Sequence, residues 1–273
     1  MRQRAVVWMA AVLVGLAMAP AAFAGDLNLW ISYHFTGMES YRAGKFRDAE
    51  SLLALAKPET CDKNREAFTL NGLGKVESAL GNYPEADKYF QKALVLREKS
   101  CGKESHFVPA ILNNMGDLQY IAGDKCKAKC LYRKALDLEE KDQLSIEVSR
   151  SLNGLALLAN DEGNYVEAEN LLKRAIAVHD KGGRREHPYC ATALINLASL
   201  YTNLGRTCEA KPLFKRAEYI QKQSIGCDHP DVAVRLHAYA GYLTKIGNLD
   251  EARCAQERAN EIQARFAELN HKA

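Results

Sequence analysis

Asn71, Asn113, Asn114, Asn153 and Asn196 recur roughly 40 residues apart along the chain. A primary amide both donates and accepts, so a row of asparagines can match successive peptide units without carrying charge. A single helical asparagine is a poor helix former and is usually no more than a solvated residue. Recurrence at an interval asks for more, although duplicated segments also inherit residues by descent. Histidines recur as well. His106, His187 and His229 each precede a segment of helical periodicity, and Pro188 and Pro230 follow the last two, which suits a helix start. His187, Cys190, Cys227 and His229 would make a donor set that zinc accepts, but their repetition favours helix starts for the histidines and disulfides for the cysteines. No metal and no cofactor is therefore expected. The chain has no G-x-S-x-G, P-loop, H-E-x-x-H or C-x-x-C, and Gly72-Leu73-Gly74 lacks the third glycine of a dinucleotide fingerprint. An enzyme is not expected.

The elements that carry these residues are clearest between His187 and Asp228. Small residues (Ala198, Ala210, Ala217) sit where two helices must approach closely, and large apolar ones (Leu194, Leu197, Leu200, Tyr201, Leu213, Phe214) recur around them at helical spacing. Gly205 divides the two helices, and its counterparts are Gly44, Gly81, Gly123, Gly163 and Gly247, so the chain is a repeat array. With the first alanine of the second helix (helix B) numbered position 20 of a unit, that position is Ala49, Ala86, Ala128, Ala168, Ala210 and Ala252. Position 27 is Ala56, Ala93, Ala135, Ala175, Ala217 and Ala259. Position 8, on the first helix (helix A), is Gly37, Gly74, Gly116, Ala156, Ala198 and Ala240, and position 24 is Leu53, Phe90, Tyr132, Leu172 and Phe214 in five units.

This spacing of small and large residues resembles the tetratricopeptide repeat. A period above the usual 34, with His-Pro opening a unit and EAKPLFKRA in its second helix, is similar to the kinesin light chain variety. The resemblance implies an all-α, right-handed superhelical solenoid of about six helix-turn-helix repeats plus a C-terminal capping helix, about 13 helices. The units would fall near 30–60, 64–104, 106–144, 145–186, 187–228 and 229–270 of a single domain, 25–273. Gln256 replaces the large apolar residue at position 24 of the last unit, as expected where no further unit stacks.

In such repeats positions 2, 5, 6, 9, 12 and 13 of helix A face a concave groove, where asparagines hold the main chain of an extended peptide. Carried onto this chain, the groove would comprise Phe68, Asn71, Lys75, Asn113, Asn114, Tyr120, Arg150, Asn153, Asn160, Thr192, Asn196 and Asn203. Gly72, Gly154 and Ala238 stand at position 6 where another asparagine would be expected, and no lysine-and-arginine clamp for a C-terminal carboxylate is present.

Residues 1–24 lie outside the array. Arg2 and Arg4, an apolar run from Ala5 to about Met18, and Ala22-Phe23-Ala24 before Gly25 have the layout of a secretory signal cleaved after Ala24. The run is shorter than the roughly 20 residues of a spanning helix, so the mature chain is expected to be exported, to the periplasm or beyond, without a membrane span. The full chain holds 37 basic and 34 acidic residues, too even a balance for a nucleic-acid surface. Export makes disulfides the expected state of the eight cysteines. In a helical hairpin the start of helix A and the end of helix B share one end, which favours Cys61 with Cys101 and Cys190 with Cys227; Cys126 with Cys130 and Cys208 with Cys254 are weaker pairs. The expected function is that of an exported adaptor binding an extended segment of a protein partner. A structural subunit using its convex face or ends is the alternative, ahead of a zinc protein or enzyme centred on unit 5.

Overall fold

A computed structural model describes residues 21–56, 62–101, 106–139 and 145–271. Within them the chain forms twelve helices: α1 (Ala21–Arg42), α2 (Phe46–Leu55), α3 (Lys63–Ala79), α4 (Tyr83–Cys101), α5 (Val108–Ile121), α6 (Lys125–Leu138), α7 (Ile146–Asp161), α8 (Tyr165–Lys181), α9 (Pro188–Asn203), α10 (Thr207–Ser224), α11 (Pro230–Lys245) and α12 (Leu249–His271). Consecutive pairs make six hairpins, and each hairpin packs on the next to give a solenoid.

One turn joins the helices of every hairpin. Gly44, Gly81, Gly123, Gly163, Gly205 and Gly247 all have φ between +68° and +87°, the left-handed conformation that ends a helix at little cost only for glycine. The next residue then donates its N–H five residues back, as in Asn82 to Glu77 O (2.8 Å), Asn164 to Ala159 O (2.8 Å) and Arg206 to Tyr201 O (2.8 Å). This is the Schellman pattern, which satisfies carbonyls that the helix end leaves over.

The anchor alanines at positions 20 and 27 are buried in all six units. Between them the large residue of position 24 packs on the small residue of position 8. The Tyr132 ring lies between two glycines of successive units: a Cβ at Gly116 would come within 2.6 Å of its Cε1, and one at Gly154 would also collide with the ring. In unit 6 Gln256 takes this place and meets His237 Nδ1 at 2.7 Å, a polar pair where the other units have an apolar contact or an aromatic ring.

Helix A starts are capped as the histidine pattern implies. His187 and His229 Nδ1 accept the N–H of Tyr189 (3.2 Å) and Asp231 (3.1 Å), which commits one nitrogen of each ring and sets both as N-caps. Asp62 and Ser145 do the same for α3 and α7. His106 differs, because α5 starts two residues later, behind Phe107.

The closing segment is no thirteenth helix. It is the second half of α12, whose Ile262 and Phe266 pack with Val232 and Ala233 of α11. The array curves so far that this end returns to the first turn, where the Asn270 amide bonds Phe46 N–H (2.9 Å) and Gly44 O (3.2 Å). Residues 1–20, with most of the expected signal, lie outside the described residues, and α1 starts at Ala21, ahead of the expected cleavage point.

Candidate binding groove

The first helices of the hairpins bring the recurring asparagines together into a ladder. Asn114 Nδ2 donates to Asn71 Oδ1 across the unit 2–3 boundary (2.8 Å), and Asn196 Nδ2 donates to Asn153 Oδ1 across units 4 and 5 (2.9 Å). Asn113 works differently. It is wholly buried, its Nδ2 donates to Glu147 O (3.1 Å) and Oε2 (2.9 Å), and its Oδ1 accepts from Ser151 Oγ (2.8 Å). Both amide hydrogens are used, the oxygen is engaged by Ser151 and the side chain is wholly buried, so Asn113 joins units 3 and 4 and is not open to a ligand.

Arg150 is the hub of the wall. Its guanidinium donates to Asn114 Oδ1 (2.7 Å), Asp117 Oδ2 (2.9 Å) and Glu147 Oε2 (3.0 Å), and it lies over the Tyr189 ring at 5.0 Å. Burial opposes its charge, but Tyr189, Glu147 and Asp117 outweigh that and hold the cation firmly. Among the described residues Lys75 has no carboxylate at hydrogen-bonding distance; its ammonium rests 4.6 Å from the centre of the Tyr41 ring. Burial, helped by Arg150 and Arg42, lowers its pKa to about 8. Burial likewise raises the Tyr41 phenol, within electrostatic reach of Tyr189, Asp231 and Arg150. Side chains of units 1 to 6 thus lie within electrostatic reach of one another, and the space they border is the candidate channel.

The other expected residues divide. Phe68 packs on Phe107 with ring centres 4.1 Å apart and planes tilted by 50°, under the Arg97 guanidinium, so it fills the seam between units 2 and 3. Tyr120 donates to Asp161 Oδ2 (3.1 Å) and ties units 3 and 4. Asn160 is half-buried, Asn203 is exposed, and exposed Thr192 Oγ1 turns back on Pro188 O (3.4 Å). Tyr41, Asp117, Glu147 and Tyr189 belong to the wall and were not anticipated. Glu147 and Tyr189, with Asp231, share one unit position two residues before position 1, and that register was the available signal.

The cysteines do not pair among the described residues. Cys190 is buried, with Sγ 3.7 Å from Arg216 Nη2, while Cys126, Cys130, Cys208, Cys227 and Cys254 are exposed and free. The expected Cys190–Cys227 bridge is therefore not formed, because Cys190 points into the packing of α9 on α10. Cys61 lies outside the described residues, as does the Cys101 side chain.

A sequence model of the tetratricopeptide repeat matches residues 65–141, 147–223 and 189–265. The chain belongs to the tetratricopeptide repeat family. Proteins built from this repeat are typically non-catalytic scaffolds. Among solved structures, this tetratricopeptide repeat protein is similar to BtubC (BKLC) from P. vanneervenii, at 17% identity and TM-score 0.59 over 89% of this chain and 92% of that one. It is also similar to the repeats of a putative kinesin light chain from Podosopora anserina, at 21% identity and TM-score 0.52 over 78% of this chain and all of that one. A third similarity is to the Rap conjugation gene regulator of the plasmid pLS20 in complex with the Phr* peptide, at 14% identity and TM-score 0.70 over 93% of this chain and 79% of that one. These likenesses establish the fold. No curated protein sequence matches the chain.

Proposed function

We propose that this protein is an exported adaptor with repeats of the kinesin light chain kind, holding an extended segment of a partner protein in its channel. One observation carries the reading. After the ladder bonds are made, Asn71 and Asn153 each keep an amide donor and Asn196 an amide carbonyl without a partner among the described residues, on the helix faces that line the channel. A peptide main chain supplies the complementary groups. The Rap regulator of similar fold, solved with a peptide, supports this use of the architecture. The leader of residues 1–24 supports export, and the even charge balance supports a protein partner over nucleic acid.

The test is affinity capture from the native exported fraction with the mature protein beside an Asn153→Ala/Asn196→Ala variant of equal helicity by circular dichroism. A partner held by the first and lost by the second supports the groove; equal retention sinks it. That outcome would favour a structural subunit, for which the exposed apolar residues near the hairpin turns (Val166, Ile246, Leu249) offer a contact surface.

A further inference from the structure

Unit 1 departs from its successors at its turn. In units 2, 3, 4 and 6 the residue after the turn glycine is Asn82, Asp124, Asn164 or Asn248, and the Asp124 and Asn164 side chains accept an N–H from the first turn of helix B. Unit 1 has Lys45 there, which makes no such bond. The acceptor comes instead from the far end of the chain. Asn270 Oδ1 takes the Phe46 N–H (2.9 Å), its Nδ2 donates to Gly44 O (3.2 Å) and Phe266 O (2.8 Å), and Arg47 Nε reaches Asn270 O (3.4 Å).

The turn glycines report the same asymmetry. A Cβ at Gly81, Gly123, Gly163, Gly205 or Gly247 would meet nothing within 4 Å, whereas one at Gly44 would collide with the Phe266 ring. Arg206 of unit 5 also lacks a side-chain cap, yet its turn stays bare. A missing cap alone therefore does not recruit cover; the cover at unit 1 is built from α12. The ends joined in this way belong to the first and last units, whose side chains already sense one another: Tyr41, under the Lys75 ammonium, lies within electrostatic reach of Tyr189 of unit 5 and Asp231 of unit 6.

We propose that Phe266 and Asn270 form a latch: the last turn of α12 holds the array shut as a ring, and its release admits a ligand to the channel. The regulation rests on the reading of the channel as a peptide groove, but the latch can be tested without a peptide. A Phe266→Ala/Asn270→Ala variant of the full mature chain is compared with the unaltered chain, both checked by circular dichroism. Amide exchange at Phe46 reports the join and should accelerate about tenfold when its acceptor is removed. Acylation of Lys75 by a bulky N-hydroxysuccinimide ester, scored by peptide mass spectrometry against exposed Lys211, reports access to the channel and should rise at least about fivefold.

Unchanged exchange at Phe46 would show that the ends are not joined in solution and would overturn the proposal. Faster exchange with unchanged Lys75 acylation would show a cap for α2 that gates nothing, and would overturn it equally. Should the double variant lose helicity, truncation after Arg265 repeats both readouts on a chain that keeps Ile262 and its packing. Because neither readout uses a partner, failure of the latch and failure of the peptide-groove reading are separable.

Discussion

Replacing Asn113 by alanine tests whether the asparagine ladder is framework or surface. The substitution removes three hydrogen bonds, one of them to a carboxylate, and strands the buried Ser151 hydroxyl. A buried polar group left without a partner costs about 1–3 kcal/mol, and bonds to charged groups lie at the upper end. The small cavity adds to this, so Asn113→Ala should lose about 2–4 kcal/mol. Asn196→Ala removes one bond at a half-buried site and should lose only about 0.5–1.5 kcal/mol. Urea unfolding followed by circular dichroism measures both, with the midpoint compared across variants because repeat arrays need not unfold in two states. A matching Asn113→Leu/Ser151→Ala pair replaces both partners by apolar groups and should recover much of the loss. If Asn113→Ala costs no more than Asn196→Ala, the framework role assigned to Asn113 is wrong.

Burial lowers the His179 pKa to about 4, with His187 and Arg184 adding to the effect, and neither ring nitrogen has a partner. The unfolded pKa is about 6.5, so the unfolded state binds the proton first. Stability should be full above about pH 6.5 and fall as the pH drops toward about 4, and His179→Leu should flatten that part of a urea-midpoint profile. Gly154→Ala would drive a Cβ into the Tyr132 ring and should cost about 1–3 kcal/mol, read as a lowered Tm; an unchanged Tm would show that the ring has room to move. Burial raises the Cys190 thiol to about 11, so at pH 8 iodoacetamide should modify Cys126 and Cys208 readily and Cys190 only on unfolding. Rapid labelling of Cys190 would contradict its burial.

The hairpins were legible in the sequence because their determinants are local and repeated. A turn glycine and two anchor alanines recur in register in six units and a large residue between the alanines in five, and the structure places them in the same roles each time. The histidines at 187 and 229 were legible for the same reason, since a cap acts on the next two residues. The channel was harder to read. Asn71 and Asn196 lie on the anticipated wall, but Asn113 is taken inward by Ser151 and Glu147 of the following unit, a pairing that helix position alone does not reveal. Phe68 was drawn sideways by Phe107, a neighbour across a unit boundary. Tyr41 stands at position 12 of unit 1, a groove position, so its place on the wall was available from register; its reach to units 5 and 6 was not, because that comes from the curvature of the whole array, a sum of small rotations written at no single residue.

Open solenoids gain or lose a unit with little penalty, because each new copy meets the same neighbour as the old one. The contact of Asn270 with Gly44 and Phe46 removes that freedom. A duplicated unit would carry the C-terminus one step past its seat, and a deleted unit would leave it one step short. In either case Phe46 would lose its acceptor and Gly44 its cover. A closed ring would thus tie the count of repeats between Gly44 and Asn270 to its geometry, and changes in length there are expected to be tolerated at the loops more readily than in that count.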